Sequence, residues 1–491
     1  MSTQHKMLDL NDDCIYHIYE FLPIIDWCAL RETCTRFRTI SDYCFSRRSG
    51  TFELRDISDT SYSPHSLAAS DVKHVLRNFG KFMEALTINK NHFEGNVDCN
   101  VLVLFVDRYC ESLIDLKLVD INLTMSTIAQ CNRLFSTLER LVIDQWDDEK
   151  SFSSCLAKCT SLTELEFIRL VIPGDCLAYR HIESLQSFKV SRCDEMSYDA
   201  MKCFLTINGQ LTQVKLFDLY FRKGHGSRNI LTDIAKSLPK LEALSLHFNI
   251  EFMPDPLPVV EMASLTKLEA NLTYVADSNV NAILQGLTLH NKIEHLHLAQ
   301  FTCTDESIEL LCSMKRLKIL KLTDTNQLNA DVCKRLATRL SDLDEIHIIE
   351  CKDTSFNEVK EFCVHVPNLK KIIFNRPDDA SPSITQEMFS SLVNIRRNQP
   401  TKKMLLIFLN DDDLREIKSE FKWSGMEDTL VKQENVLKLV PLEKEHRSTV
   451  YEYGSGFRYH SKQFLDDIDV EDESGSDDSS FDGSDDHWVF G

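Results

Sequence analysis

The chain has 491 residues, of which 43% are apolar, so it is long enough to bury a large core or to form several domains. Its formal net charge is −21, which argues against nonspecific binding to nucleic acid or to an anionic membrane. Eleven acidic residues lie between Asp466 and Asp486, and no lysine or arginine follows Lys462. About half of the net charge is therefore confined to the C-terminal tail.

The 17 cysteines are scattered from Cys14 to Cys363, and no two of them are separated by only two residues. This distribution argues against zinc fingers and against a secreted disulfide framework. The opening residues lack an apolar signal-peptide core, and runs such as 101–106 are far shorter than the roughly 20 residues that cross a bilayer. We therefore expect a soluble protein of a reducing compartment, in the cytoplasm, the nucleus or both.

Residues 10–40 predict two short amphipathic helices separated by Pro23. In the first helix, Ile15, Ile18 and Leu22 recur at steps of three and four, and Asp26 is placed to cap the second helix. The apolar stripe of the second helix consists of Trp27, Leu30, Cys34, Phe37 and Ile40. Two helices of this length cannot bury both apolar faces against each other, so they need a partner.

This stretch resembles the F-box, with one departure: the family usually has proline after the leading leucine, and this chain has Asn11, itself a good helix cap. The matching residues are Leu10, Asp13, Cys14, Ile15, Ile18, Phe21, Leu22, Pro23, Asp26, Cys34, Arg36 and Phe37. The resemblance implies docking onto the Skp adaptor of a cullin-RING ubiquitin ligase. The implied adaptor contacts are Leu10, Asn11, Ile15, Ile18, Leu22, Pro23, Trp27 and Leu30. The alternative is that these helices only cap the domain that follows.

A pattern of three aliphatic residues, spaced as in a leucine-rich repeat, then recurs twelve times at intervals of 23 to 30 residues. Its matches start at Met83, Leu113, Leu138, Leu162, Leu185, Leu211, Leu241, Leu265, Ile293, Leu317, Leu343 and Leu369. Helical stretches such as 305–311 fill the intervals, which predicts one strand and one helix per unit. The unit at 343–351 resembles the cysteine-containing class of leucine-rich repeats that often follows an F-box.

We therefore predict an α/β fold in which a helical F-box precedes a curved solenoid, or horseshoe. Strands lie about 4.8 Å apart and helices are about 10 Å across, so stacked units bend with their strands inside. The predicted segments are an F-box at 8–48, a connector and N-terminal capping repeat at 49–82, a solenoid of about twelve to thirteen repeats at 83–410, a C-terminal cap or irregular segment at 411–462, and an acidic disordered tail at 463–491.

No arrangement of residues typical of catalysis, cofactor binding or metal binding is present in the sequence. Cys155 and Cys159 lie one helical turn apart without a matching histidine pair, which favours burial over metal binding. Cys193 and Cys351 occupy repeat positions that point inward, so we expect inert thiols there.

Residues that alternate with the aliphatic strand positions face away from the core and predict a protein-binding groove. The candidate substrate contacts are Lys189, Lys215, His297, Lys321 and His347. The alternative is a solvated sheet face, with the histidines as ordinary surface residues. Loops near 221–229 are a second possible capture surface.

The function implied by the resemblance is that of a non-catalytic substrate receptor of an SCF-type ligase, which promotes ubiquitination and proteasomal degradation of a target protein. The alternative is a scaffold outside any ligase, whose acidic tail binds basic partners such as histones. Ser474 and Ser479 each precede an acidic residue by three positions and are candidate phosphorylation sites in the tail. This tail either competes for the groove or only increases solubility.

Overall fold

The computed structural model describes 10–47, 52–54, 68–93, 97–219, 229–247, 255–273, 275–351, 354, 356–375, 386–399, 404–409, 414–415 and 437–441. The chain divides into two compact units, Met1–Val440 and Pro441–Gly491. Of the second unit only Pro441 is described, so the account below concerns the first. The candidate phosphorylation sites Ser474 and Ser479, the tail, the loop at 221–228 and most of 411–462 lie outside the described residues.

Fifteen helices and fifteen strands alternate through the described part of the chain. The helices α1 to α15 are Asp12–Glu20, Ile24–Thr33, Thr35–Ser46, Ala69–Phe79, Cys99–Tyr109, Met125–Gln130, Asn132–Thr137, Glu149–Lys158, Tyr198–Ile207, Ile230–Ser237, Asp277–His290, Asp305–Ser313, Ala330–Arg339, Phe356–His365 and Gln386–Arg397. The strands β1 to β15 are Phe52–Glu53, Ala85–Asn89, Asp115–Val119, Arg140–Asp144, Glu164–Ile168, Ser187–Ser191, Gln213–Phe217, Ala243–His247, Lys267–Asn271, His295–Ala299, Ile319–Thr323, Glu345–Ile349, Lys371–Asn375, Leu405–Leu409 and Leu437–Pro441.

The N-terminal stretch forms three helices, and the prediction of two was wrong. The helix after Pro23 stops at Thr33, because Cys34 adopts an extended backbone and caps α3 through a hydrogen bond from the Phe37 amide to its Sγ. Asp26 lies inside the first turn of α2 and does not cap it. The predicted apolar stripe is therefore divided between two helices.

The strands form one sheet whose order follows the chain, and the neighbours β1 to β14 pair in parallel. All twelve predicted repeats supply a five-residue strand, from β2 to β13. A parallel sheet ordered by sequence, with helices in the connections, is the architecture of a leucine-rich-repeat solenoid. The predicted fold class is confirmed.

Burial along each strand explains the register. The second and fourth residues of β3, Leu116 and Leu118, are buried in a core shared with the helices, and the same holds in every strand from β2 to β13. The first aliphatic residue of each repeat, such as Leu113, is buried just before the strand. Each repeat therefore buries three aliphatic residues, and these fix the register of its strand. A shift of one residue would turn the buried strand residues away from the core.

A left-handed residue follows the end of most strands and steers the chain out of the sheet. In eight repeats a non-glycine residue takes a positive φ there, and its amide donates to the last carbonyl of the next strand, as Arg169 does to Ser191 at 2.9 Å. The eight residues are Asp120, Gln145, Arg169, Arg192, Asp218, Gln300, Asp324 and Glu350. This hydrogen bond between neighbouring repeats offsets the strain of the left-handed backbone conformation.

The connections depart from the predicted single helix in several places. Two short helices, α6 and α7, connect β3 to β4, and 3-10 turns at Asp175–Tyr179 and Leu257–Glu261 replace the helix elsewhere. Cys193 and Cys351 are buried as predicted, and burial raises the pKa of their thiols to about 12 and about 11. All 17 cysteines are free thiols.

Candidate protein-binding sites

The turn between α1 and α2 presents apolar side chains outward. We name Ile18, Phe21, Leu22 and Pro23 the corner patch. Phe21 is 85% exposed, whereas Ile18, Leu22 and Pro23 are half-buried. Together with its half-buried apolar neighbours, Phe21 forms a contiguous apolar surface, which is a candidate protein-binding surface.

Two local features hold this corner in place. Asn11 caps α1, because its Oδ1 accepts the Cys14 amide at 2.9 Å. The Trp27 indole nitrogen donates to the carbonyls of Tyr19 and Leu22, which lie on either side of Phe21. The corner patch is therefore fixed by side chains of the chain itself.

The predicted adaptor contacts do not all lie on one surface. Ile15 and Trp27 are buried in the core, and Leu30 is partly buried against it. Leu10 is partly exposed, and its carbonyl accepts Nη2 of Arg36 at 2.6 Å. Within this set, the corner patch and Leu10 offer accessible apolar surface.

The buried side of the three N-terminal helices packs on the first repeat. Phe79, at the end of α4, stacks on Phe45 at 4.5 Å between ring centroids and meets Trp27 edge to face. Arg31 forms an ion pair with Asp42 at 2.7 Å and donates from Nη1 to Oδ1 of Asn78. These contacts connect α2 and α3 to α4 on both sides of Phe79.

The sheet has a second face, opposite its buried residues. We name the first, third and fifth residues of β2 to β13 the ladder face. The third residues pair in register across all twelve strands. In order they are Thr87, Lys117, Val142, Glu166, Lys189, Lys215, Ser245, Glu269, His297, Lys321, His347 and Ile373. The predicted substrate contacts all belong to this row.

The three predicted lysines differ in their surroundings. Lys189 forms an ion pair with Glu166 at 2.8 Å and lies over the Phe217 ring. Lys215 and Lys321 are half-buried, and neither forms an ion pair within the described part of the chain. Burial lowers the pKa of both ammonium groups; Glu269 opposes this effect, and neighbouring lysines add to it.

The two histidines are not the exposed groups that we expected from their outward positions. His297 is 7% exposed and His347 is 5% exposed, since both lie between side chains of the flanking strands. Burial lowers the pKa of His297 to about 3 and that of His347 to about 4. Both imidazoles are therefore neutral near pH 7. No group of three potential metal-binding residues occurs among the described residues.

Charge divides the ladder face into two parts. On β2 to β5 it carries Lys117 and Arg140 against four acidic residues, and Arg140 pairs with three of them within 3.5 Å. Those acidic residues are Asp115, Asp144, Glu164 and Glu166. On β6 to β13 it carries five lysines against two glutamates, Glu269 and Glu345. The five are Lys189, Lys215, Lys267, Lys321 and Lys371.

The two glutamates on the basic part already have hydrogen-bond and ion-pair partners within the chain. Glu269 accepts Ser245 Oγ at 2.8 Å and pairs with Lys267 at 2.9 Å; although burial opposes its ionisation, these contacts lower its pKa to about 2. Glu345 lies 3.1 Å from Nε2 of His347 and 3.7 Å from Nζ of Lys371. Sequence reasoning omitted Lys267 and Lys371 from the candidate contacts, although both occupy first positions of their strands.

Comparison with known proteins identifies part of the chain. Residues 7–48 match the F-box domain, and they contain α1 to α3 and the corner patch. No curated protein matches the chain. No helix among the described residues is both long and apolar enough to span a bilayer.

Three solved structures share low identity with the chain. An internalin from Listeria monocytogenes is 13% identical, with 73% of this chain and 95% of that chain covered and a TM-score of 0.39. TLR13, solved with ssRNA13, is 17% identical, with coverages of 67% and 42% and a TM-score of 0.41. The structure of yeast Rad7 with Elc1 gives 14% identity, coverages of 70% and 89%, and a TM-score of 0.40. None of these three assigns a function to the chain.

Proposed function

We propose that this protein is the substrate-recognition subunit of an SCF-type ubiquitin ligase. The observation that carries the proposal is the F-box at residues 7–48, whose corner patch leaves Phe21 exposed in the isolated chain. The corner patch binds a Skp-type adaptor, and the ladder face captures a target protein. F-box proteins are typically receptors without catalytic activity, so transfer of ubiquitin falls to the other subunits.

The packing of the F-box on α4 supports a receptor in which one end binds the adaptor and the solenoid binds the target. Phe79 is held from one side by Trp27 and from the other by Phe45, so α4 follows the F-box helices as a unit. A receptor accelerates transfer by raising the effective concentration of target lysines near the ligase. The packing of Trp27 and Phe45 against Phe79 keeps the captured target at a fixed distance from the adaptor.

The test uses Ile18→Arg together with Phe21→Arg. Two arginines in a desolvated interface cost several kcal/mol of binding free energy, since each charge loses water and gains no partner. We expect loss of Skp-adaptor binding in a pull-down with purified components, and a melting temperature within a few degrees of the parent. The substitution of Leu22, which packs partly on the core, is avoided for that reason.

The matched control is Val171→Arg with Tyr179→Arg, which places the same charges at two exposed apolar residues of the solenoid. It is expected to bind the adaptor like the parent. A parent chain that does not bind the adaptor contradicts the proposal, and binding of purified histones in a parallel pull-down supports the scaffold alternative.

A further inference from the structure

We infer that the basic part of the ladder face, on β6 to β13, binds an extended acidic segment of the captured protein. This inference rests on the proposed function and adds the chemical class of the target segment. Its first support is charge. Five lysines and two glutamates gather on one face of a protein whose net charge is −21, and the two glutamates pair with Lys267 and Lys371, which leaves an excess of three lysines.

The second support is the state of Lys215 and Lys321. Each ammonium group is half-buried, with Glu269 as its strongest opposite charge and other lysines nearby, and neither forms a direct ion pair among the described residues. Partial desolvation of a cation that has no carboxylate in direct contact costs free energy, and a carboxylate or phosphate from outside offsets that cost on binding. The two lysines are thus arranged to favour an anionic ligand.

The flanking lysines are orientated over aromatic rings. Nζ of Lys189 lies 5.5 Å from the Phe217 ring centroid, and Nζ of Lys371 lies 5.1 Å from that of Phe408. Cation–π contacts limit the freedom of each ammonium group and leave it charged. Two preorganised cations therefore border the Lys215 and Lys321 positions, one on each side, and each also has a carboxylate partner, Glu166 at 2.8 Å from Lys189 and Glu345 at 3.7 Å from Lys371.

The spacing indicates the shape of the ligand. From Lys189 on β6 to Lys371 on β13 there are seven strand steps, or roughly 34 Å at about 4.8 Å per step. An extended segment of about ten residues, at about 3.3 Å each, covers that length. The acidic residues on β3 to β5 repel such a segment, so it is confined to the basic part. The net charge of −21 of the whole chain disfavours nucleic acid as the ligand.

The experiment measures binding of a fluorescein-labelled peptide of ten glutamates to the full chain by fluorescence anisotropy at low ionic strength. A Gly-Ser peptide of equal length is the neutral probe. We compare Lys215→Glu with Lys321→Glu against a control, Lys236→Glu with Lys334→Glu. The control reverses exposed lysines on α10 and α13, the helices that follow β7 and β11, so that both variants change the same repeats by the same charge.

We expect the ladder-face variant to bind the glutamate peptide at least about tenfold more weakly than the parent, and the control within about twofold. Binding of the parent falls with added salt. Lys215→Met with Lys321→Met removes the charges and keeps the aliphatic stems; it is expected to weaken binding without lowering the melting temperature.

The inference is overturned if the parent does not bind the glutamate peptide, or binds the Gly-Ser peptide as well, or if both charge-reversed pairs lose affinity equally. Adaptor binding is measured on the same samples. An intact adaptor interaction with no peptide binding removes the acidic-segment inference alone, whereas a lost adaptor interaction removes the proposed function.

Discussion

The indole of Trp27 and the phenyl ring of Phe79 meet edge to face, with their centroids 6.4 Å apart. Trp27 belongs to the F-box helix α2, and Phe79 ends the first helix of the solenoid. The N-terminal helices therefore have two distinct sides. One side is buried against α4, as a cap on the solenoid would be, and the other presents the corner patch, for which we propose adaptor binding.

Replacement of Trp27 is expected to destabilise the protein and not merely to remove an adaptor contact. Trp27→Ala leaves a cavity beside Phe79 and deletes hydrogen bonds to Tyr19 and Leu22, so the free energy of unfolding should fall by about 3–5 kcal/mol. Denaturant unfolding checks this value. Phe21→Ala, at the solvated corner, is the control and is expected to change stability by less than about 0.5 kcal/mol. A Trp27→Ala chain as stable as the parent would contradict this packing.

Arg31 should contribute to stability through its half-buried partners. Arg31→Met removes the ion pair with Asp42 and leaves Asn78 without that donor, which is expected to cost about 1–2 kcal/mol. A double-mutant cycle with Asp42→Asn isolates the Arg31–Asp42 coupling, which we expect to exceed about 0.5 kcal/mol.

The control for that cycle is Arg335→Met, which removes ion pairs with the exposed Asp305 and Glu309. Solvent screens such pairs, so the loss should be below about 1 kcal/mol. If the Arg31 and Arg335 substitutions lowered the free energy of unfolding equally, the Arg31–Asp42 ion pair would add no more stability than an exposed pair.

The strands were predictable because their signal is redundant. Each repeat fixes its phase by three aliphatic residues, such as Leu113, Leu116 and Leu118, and all three are buried. The third N-terminal helix was missed because its boundary depends on Cys34, whose extended backbone and thiol cap interrupt an unbroken apolar stripe. A periodic pattern records which side of a helix is apolar but not whether the backbone is continuous.

The site was only partly predictable for a related reason. Alternation along a strand correctly placed His297 and His347 on the ladder face, but it says nothing about the neighbouring strands, whose side chains bury both rings. Phe21 was recognised within the F-box pattern, yet its 85% exposure depends on the turn that carries it. The burial of a side chain by neighbouring strands and its exposure at a turn both depend on the tertiary structure, which a local sequence pattern does not record.

The buried histidines predict a specific dependence of stability on pH. Burial lowers the pKa of His297 to about 3 and that of His347 to about 4, while an unfolded histidine titrates near 6.5. As pH falls below about 6.5, the unfolded chain takes up protons that the folded chain does not. The two histidines therefore cost no stability above about pH 6.5, and the cost grows as the pH falls, to about pH 4 for His347 and to about pH 3 for His297.

We expect the parent to lose up to about 2 kcal/mol of stability per histidine between pH 7 and pH 5. Charged neighbours on this face are Glu269, Glu345, Lys267, Lys321 and Lys371; the pKa of both glutamates is lowered, so they stay ionised in that range. The measurement is the urea midpoint at the two pH values for the parent and for His297→Gln with His347→Gln. The variant should lose less than the parent, and equal losses would contradict neutral histidines.

At Gly286, helix α11 packs closely against the neighbouring 3-10 turn, because glycine has no side chain. A Cβ at this position would lie 2.2 Å from Cγ1 of Val260, in the 3-10 turn Leu257–Glu261, and the same turn accepts Nε2 of His290 at 2.8 Å through the Val260 carbonyl. Alanine is favoured over glycine inside a helix by about 1 kcal/mol, but the clash costs about 1–3 kcal/mol. Gly286→Ala is therefore expected to lower stability by about 1–2 kcal/mol in denaturant unfolding.

Val260→Ala supplies the partner variant, because it removes both γ carbons that the new methyl group would meet. Alone it should cost little, since Val260 is partly exposed. Combined with Gly286→Ala it should restore part of the lost stability, since only Cβ of residue 260, at 2.8 Å, would still crowd the new methyl group; we expect a favourable coupling of more than about 0.5 kcal/mol. Strict additivity of the two single substitutions would show that the loss at Gly286 arises from the helix itself, and that α11 does not depend on close contact with the turn before it.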